Sequence, residues 1–284
     1  MEAPNRELAL RMAVERTRRD ARSDPRFGNL GPLEGRFDQA IAKLGVGAEQ
    51  AARLRGAAVL RLDLRPAHGD ATAAGLSQLG GEPQLPADFE WPEVDKGPMW
   101  LWLQLDLEAI PELPGALLPN RGRLLVFVGT GEYPDAPEVR VEWFEEGPFS
   151  PRAQPSFNED DEDFLWPPEA APLAASLGIE LPSDWRYSIV GDALLDHTDR
   201  ERVKSIFDEV GHPETLCILP HQDDDHWAAV EDGREPQHPE AWLPLVSTSY
   251  DGLWDPMSTA LMIHRDDLRK RDFSRVRLYV YNAS

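Results

Sequence analysis

Two histidines bracket three aspartates in His221-Gln222-Asp223-Asp224-Asp225-His226. Imidazole and carboxylate are both proper ligands for a divalent ion. Consecutive residues on one short stretch rarely converge on one ion, however. Two-histidine sites draw on i, i+4 helical spacing or on separate elements. His221, Asp223, Asp225 and His226 therefore read as an exposed acidic loop before they read as a metal site, and no cofactor is expected. The same holds for Glu159-Asp160-Asp161-Glu162-Asp163. Five consecutive acids repel one another and resist burial, and they lack the alternating ligands and glycine turn of a calcium loop. That run is a solvated loop or a surface for a basic partner. Cys217 lies between Leu216 and Ile218, and apolar flanks suit a small buried residue better than a reactive thiolate. The chain carries no Gly-x-Ser-x-Gly elbow, Walker loop or His-Glu-x-x-His motif.

The other chemistry-bearing group is aromatic. In Trp100-Leu101-Trp102-Leu103-Gln104-Leu105-Asp106-Leu107, a period of two predicts a strand. Leu101, Leu103, Leu105 and Leu107 fall on one face, with Trp100, Trp102, Gln104 and Asp106 on the other. With Trp91 nearby, that second face offers stacking surfaces beside an amide and a carboxylate, as a sugar or peptide cleft would need. The competing reading is a sheet face covered by another layer, which also wants large aromatics. Asp106 is placed to cap a helical turn from Leu107 to Ile110, which Pro111 ends.

This stretch also carries a resemblance. Gly80-Gly81-x-Pro83-x-Leu85-Pro86, then Trp91-Pro92, then the Leu-x-Gln-Leu-Asp strand resembles the signature of the YwqG-like family, a bacterial family without an assigned function. Asp267-Leu268-x-x-x-Asp272-Phe273-Ser274-x-Val276 resembles that family's closing segment. The two matches bracket residues 76–284. The family's Gly-x-Pro segment followed by glutamine has its nearest equivalent in Gly211-His212-Pro213, with Cys217 near the glutamine's place. Relatives tend to carry a Gln-x-Asp element in each of two halves, and some lie near toxin systems in bacterial genomes. The resemblance thus implies two related β halves and an immunity-like or antitoxin-like role.

The elements that must position these groups follow from the pattern along the chain. Glu7 to Arg22 is free of Gly and Pro and reads as an amphipathic helix within an Arg-rich segment, residues 1–26. Phe37, Ala40, Ile41 and Leu44 keep helical spacing up to Gly45, and a second short helix runs from Ala48 to Arg55. Leu60, Leu62 and Leu64 alternate with charged residues in a strand. Further strands are predicted over 123–128, 139–143, 187–190, 216–219, 260–263 and 276–280. Thr198-Asp199-Arg200-Glu201 is a capping box that opens a helix ended by Gly211. Trp242-Leu243-Pro244-Leu245 echoes Trp102-Leu103-Gln104-Leu105. The predicted fold is α+β and mainly antiparallel β, since strands joined by short Gly- and Pro-rich connections argue against βαβ units. Residues 1–56 form a helical appendage, and 57–284 one domain. Its degenerately duplicated halves span about 57–150 and 185–284, with an acidic Pro-rich loop, 147–172, between.

A net charge of −22 with one cysteine and nine tryptophans in 284 residues bounds the function. Nucleic acid is not an expected partner, because its binding needs Lys and Arg on phosphates. No apolar run approaches a membrane span, and no secretory segment is visible, so a cytoplasmic, non-membrane protein is expected. The leading expectation is a non-catalytic protein whose acidic surface engages a basic protein. The alternatives are small-molecule binding at the tryptophan face, and a hydrolase assisted by a metal at His221 and His226.

Overall fold

Helix α1, Gly31–Leu44, buries Leu33, Phe37, Ala40 and Ile41 along one stripe. It stops at Gly45, whose φ of +68° is open to glycine without a Cβ clash. Helix α2, Ala48–Ala57, follows and buries Leu54. The computed structural model describes residues 31–67, 77–95, 97–111, 118–129, 138–155, 170–180, 216–219, 242–248 and 257–282. The predicted helices at 7–22 and 199–210, the strand at 187–190, and the acidic runs at 159–163 and 221–226 lie outside the described residues.

The rest is β structure. The strands are β1 (Val59–Pro66), β2 (Gln78–Leu79), β3 (Gln84–Pro86), β4 (Glu93–Val94), β5 (Gly97–Pro98), β6 (Trp100–Asp106), β7 (Arg123–Val128), β8 (Val139–Phe144), β9 (Phe149–Pro151), β10 (Ala171–Glu180), β11 (Leu216–Ile218), β12 (Trp242–Thr248), β13 (Met257–His264) and β14 (Arg277–Asn282). A short helix α3, Arg265–Lys270, joins the last two. Ten strands form one sheet in the order β14-β13-β12-β11-β1-β10-β2-β6-β7-β8. Every described pairing is antiparallel. The mainly antiparallel fold with few helices is therefore as predicted.

One face of this sheet surrounds a single apolar cluster. Leu62 and Leu64 of β1 join Leu105, Val126, Val141, Ile218, Leu261 and Leu278 in it. Leu268, Phe273 and Val276 from one end of the sheet pack in the same cluster as Val128 and Val141 from the other. The sheet thus curls nearly into closure, as a long twisted antiparallel sheet does when one face must be hidden from water.

The middle of the sheet departs from the sequence expectation. The Pro-rich loop was expected to run to residue 172, yet β10 begins at Ala171 and pairs with β1 from Val59↔Glu180 to Pro66↔Leu173. Arg61 and Asp63, the charged face of β1, are buried, with Asp63 only 1% exposed. Arg61 Nε donates to Asp63 Oδ1 at 2.7 Å, and the Cys217 thiol lies 3.6 Å from the same oxygen. Gly178 stands opposite Arg61. A Cβ there would overlap the Asp63 carboxylate, 2.9 Å from its Cγ, so the strand leaves room for a buried charge by using glycine.

Candidate binding site

The signature stretch is built around an interruption in β6. The β6–β7 register steps from Leu101↔Phe127 to Leu103↔Val126, leaving Trp102 as the extra residue of a bulge. A bulge moves every later side chain to the opposite face. Trp100, Trp102, Leu103, Leu105 and Leu107 therefore share the main cluster, whereas Leu101 packs on the other side with Leu85, Leu125 and Phe127. This corrects the unbroken alternation read from the sequence, in which both indoles faced away from the leucines.

Several polar groups around the bulge are taken up locally. The Leu101 N–H donates to Gln154 Oε1 at 2.9 Å, and Gln154 Nε2 donates to the Gly81 carbonyl at 2.7 Å. The Gln84 N–H donates to Gln104 Oε1 at 2.7 Å, and the Gly80 N–H to the Trp102 carbonyl at 2.9 Å. The Gly-Gly-x-Pro-x-Leu-Pro run is thus stitched across the outside of β6. Gly80 and Gly81 have φ of 56° and 71°, the left-handed region where glycine costs least. Arg123 holds its guanidinium 4.1 Å from the Phe149 ring and donates to the Gln84 carbonyl. Burial lowers its pKa, and neighbouring Asp106 and Glu108 oppose that shift.

The five signature candidates consequently do not share a face. Trp100 is 0% and Trp102 3% exposed, both inside the core. Trp91 lies on the opposite side of the sheet, edge-on to Phe127, and its indole N–H donates to the Met99 carbonyl at 2.7 Å. Gln104 is fully buried with its oxygen on a backbone N–H. Asp106 ends β6 and leads into a turn at Leu107–Ala109, in which the Ala109 N–H donates to the Asp106 backbone carbonyl at 3.1 Å. Glu159, Asp160, Asp161, Glu162 and Asp163, and His221, Asp223, Asp225 and His226, lie outside the described residues. Among the described residues no three His, Cys, Asp or Glu side chains gather as a metal set.

A cleft of about 640 Å³ opens elsewhere, at the outer edge of β8. Its floor is apolar, with Val139, Val141 and Phe273, and Trp143 at one end. Its rim is charged. Glu93, Glu138, Glu142 and Asp272 face Arg140 and Arg271. Both cations are already engaged, Arg140 with Glu142 and Arg271 at 3.9 Å from Glu145 with its guanidinium 4.9 Å from the Trp143 ring. Hydrogen bonds from the Ser274 hydroxyl and N–H hold the Asp272 carboxyl below its usual pKa, so it stays ionised. Arg121 is held above its ordinary value by a hydrogen bond to Glu145. The C-terminal segment that lines the cleft is fixed from behind, where α3 turns the buried Asp267 onto Arg275 at 2.6 Å. Sequence reasoning singled out Asp272 to Ser274 only as part of a family segment. The signal it missed was the edge position of β8, which depends on strand order.

A family model for a domain of unknown function, DUF1963, matches residues 77–281. The chain belongs to this family. The DUF1963 match begins just before β2 and ends in β14, so it takes in both the stitched signature and the cleft but leaves out α1, α2 and β1. No curated protein matches the chain. Among the described residues, no helix is long and apolar enough to cross a membrane.

Proposed function

We propose that this DUF1963 protein is a non-catalytic binding protein that engages a basic protein partner through the acidic cleft beside β8. The observation that carries the reading is the rim of that cleft. Among the described residues, Glu93, Glu138 and Asp272 line it with Arg140 and Arg271, and those two cations are already ion-paired, Arg140 with Glu142 and Arg271 with Glu145. A net charge of −22 adds long-range attraction for a cation-rich surface. A cytoplasmic setting and a sequestering, immunity-like or antitoxin-like role belong to the same proposal. The small-molecule alternative loses most of its support, because Trp100 and Trp102 have no exposed face to offer.

We also infer that the domain is YwqG-like, with two related halves. Supporting this, each half has a bulged strand that places two consecutive residues in the core, Trp102 and Leu103 in β6, Leu245 and Val246 in β12. The flanking pairs match as well: Gln78↔Gln104 beside Cys217↔Ser247, and Val126↔Val141 beside Leu261↔Leu278. On this correspondence Gln104 aligns with Ser247 rather than Pro244. The halves also interleave, since β1 lies in the first half in sequence but pairs with β11 of the second.

The test is capture from native cells by the tagged protein and by a Glu93→Lys/Glu138→Lys variant, washed at low and then high salt. The expected result is a basic protein retained by the wild type, released by salt, and lost from the variant. Equal retention by the variant, or no basic protein at low salt, would overturn the proposal.

A further inference from the structure

We propose that the open edge of β8 takes up an extended segment of the basic partner as one more antiparallel strand of the sheet; this rests on the binding reading above and specifies its mode. Among the described residues β8 pairs only with β7. The Gly129 N–H donates to the Glu138 carbonyl at 2.8 Å, which sets the parity of the ladder. In an antiparallel pair, residues alternate between exchanging hydrogen bonds with the partner and turning their backbone away. Glu138, Arg140, Glu142 and Phe144 thus bond to β7, and the N–H and C=O groups of Val139, Val141 and Trp143 point into the cleft.

Natural sheet edges are commonly blocked by proline, a bulge or great brevity. The β7–β8 register runs unbroken over six pairs, and Val139–Phe144 contains no proline. The cleft beyond gives an added strand room. It also assigns a preference to each face of that strand, because directly opposed residues lie on the same face. Residues opposite Val139, Val141 and Trp143 would lie on the side of Phe273 and favour apolar side chains. Residues opposite Glu138, Arg140 and Glu142 would meet the rim carboxylates and favour Lys or Arg. The occupant is therefore an extended segment in which basic and apolar residues alternate. A second copy of this chain is disfavoured by the net charge of −22 that each would carry.

The parity gives a sharp test. A labelled peptide of about eight alternating lysines and valines matches a typical strand. Its valines, on the Phe273 side, would be the residues exchanging hydrogen bonds with β8. N-methylation of the valines should weaken binding by at least about tenfold, while N-methylation of the lysines should leave it within about twofold. Val139→Pro removes an outward N–H without touching the β7 ladder and should weaken the unmodified peptide with the thermal transition retained. Equal effects of the two methylation patterns, with a basic protein still captured and released by salt, would sink strand addition and leave the binding reading standing. Absence of both peptide binding and protein capture removes both. A dimer by light scattering that binds no peptide would assign the edge to a second copy and also overturn the proposal.

Discussion

Replacing Gln104 by leucine separates a structural from a ligand-binding role for the signature stretch. The substitution keeps nearly the same volume, so it opens little cavity. What it removes is the acceptor of the Gln84 N–H, a 2.7 Å bond to a residue with 0% exposure. A donor left without a partner in a part-buried site costs about 1–3 kcal/mol, compared with about 1 kcal/mol for the mean net value of such a bond. The strand β3 that this bond helps to hold is only three residues long and pairs with the equally short β9, beside the Arg123 bond to the Gln84 carbonyl. Taking about 2 kcal/mol, and about 2–4 °C per kcal/mol for a chain of this size, the melting temperature should fall by roughly 4–8 °C. Differential scanning calorimetry of the wild type and Gln104→Leu gives the number directly, and urea unfolding checks that the slope is unchanged. Had Gln104 been held ready for a ligand, its loss would relieve a buried polar group and leave stability equal or higher. A transition within about 1 °C of wild type, or above it, would refute the structural reading.

Trp102→Ala should be more severe, about 3–5 kcal/mol in urea unfolding, because it empties a core position at the bulge; a fold that survives with only ligand affinity lost would contradict the burial. Gly178→Ala should cost about 1–3 kcal/mol through overlap with the Asp63 carboxylate, a loss seen as a lower urea midpoint. The Asp272 carboxyl has its pKa lowered in the folded protein by its bonds from Ser274. Its stabilisation of the 272–274 turn is therefore present above the unfolded carboxylate pKa and lost as pH falls through the folded value. Amide exchange at Ser274 should accelerate through that acid window in the wild type and show no such step in Asp272→Asn.

The amino-acid sequence determined a good deal of the local structure. Helix α1 is set by its apolar stripe and Gly45, and strands β1, β7, β8 and β13 by branched and alternating residues that few other conformations would satisfy. The Gly-Gly-x-Pro-x-Leu-Pro stretch and the strand after it were legible as a pattern, though their role was not. Gln104 reads the same in a ligand cleft and in a buried bond to Gln84. Only the placement of β3 over β6 decides between them. Strand β10, APLAASLGIE, was invisible because its small residues have no strong strand preference; it is a strand because eight residues of β1 pair with it. The bulge at Trp102 is likewise a property of the β6–β7 pair, since one extra residue exists only relative to a partner. It turned both indoles into the core and removed the tryptophan face. The order of the ten strands comes last, because long-range pairing depends on contacts far apart in sequence. Among the described residues that order leaves β8 paired only with β7, its other edge beside Phe273.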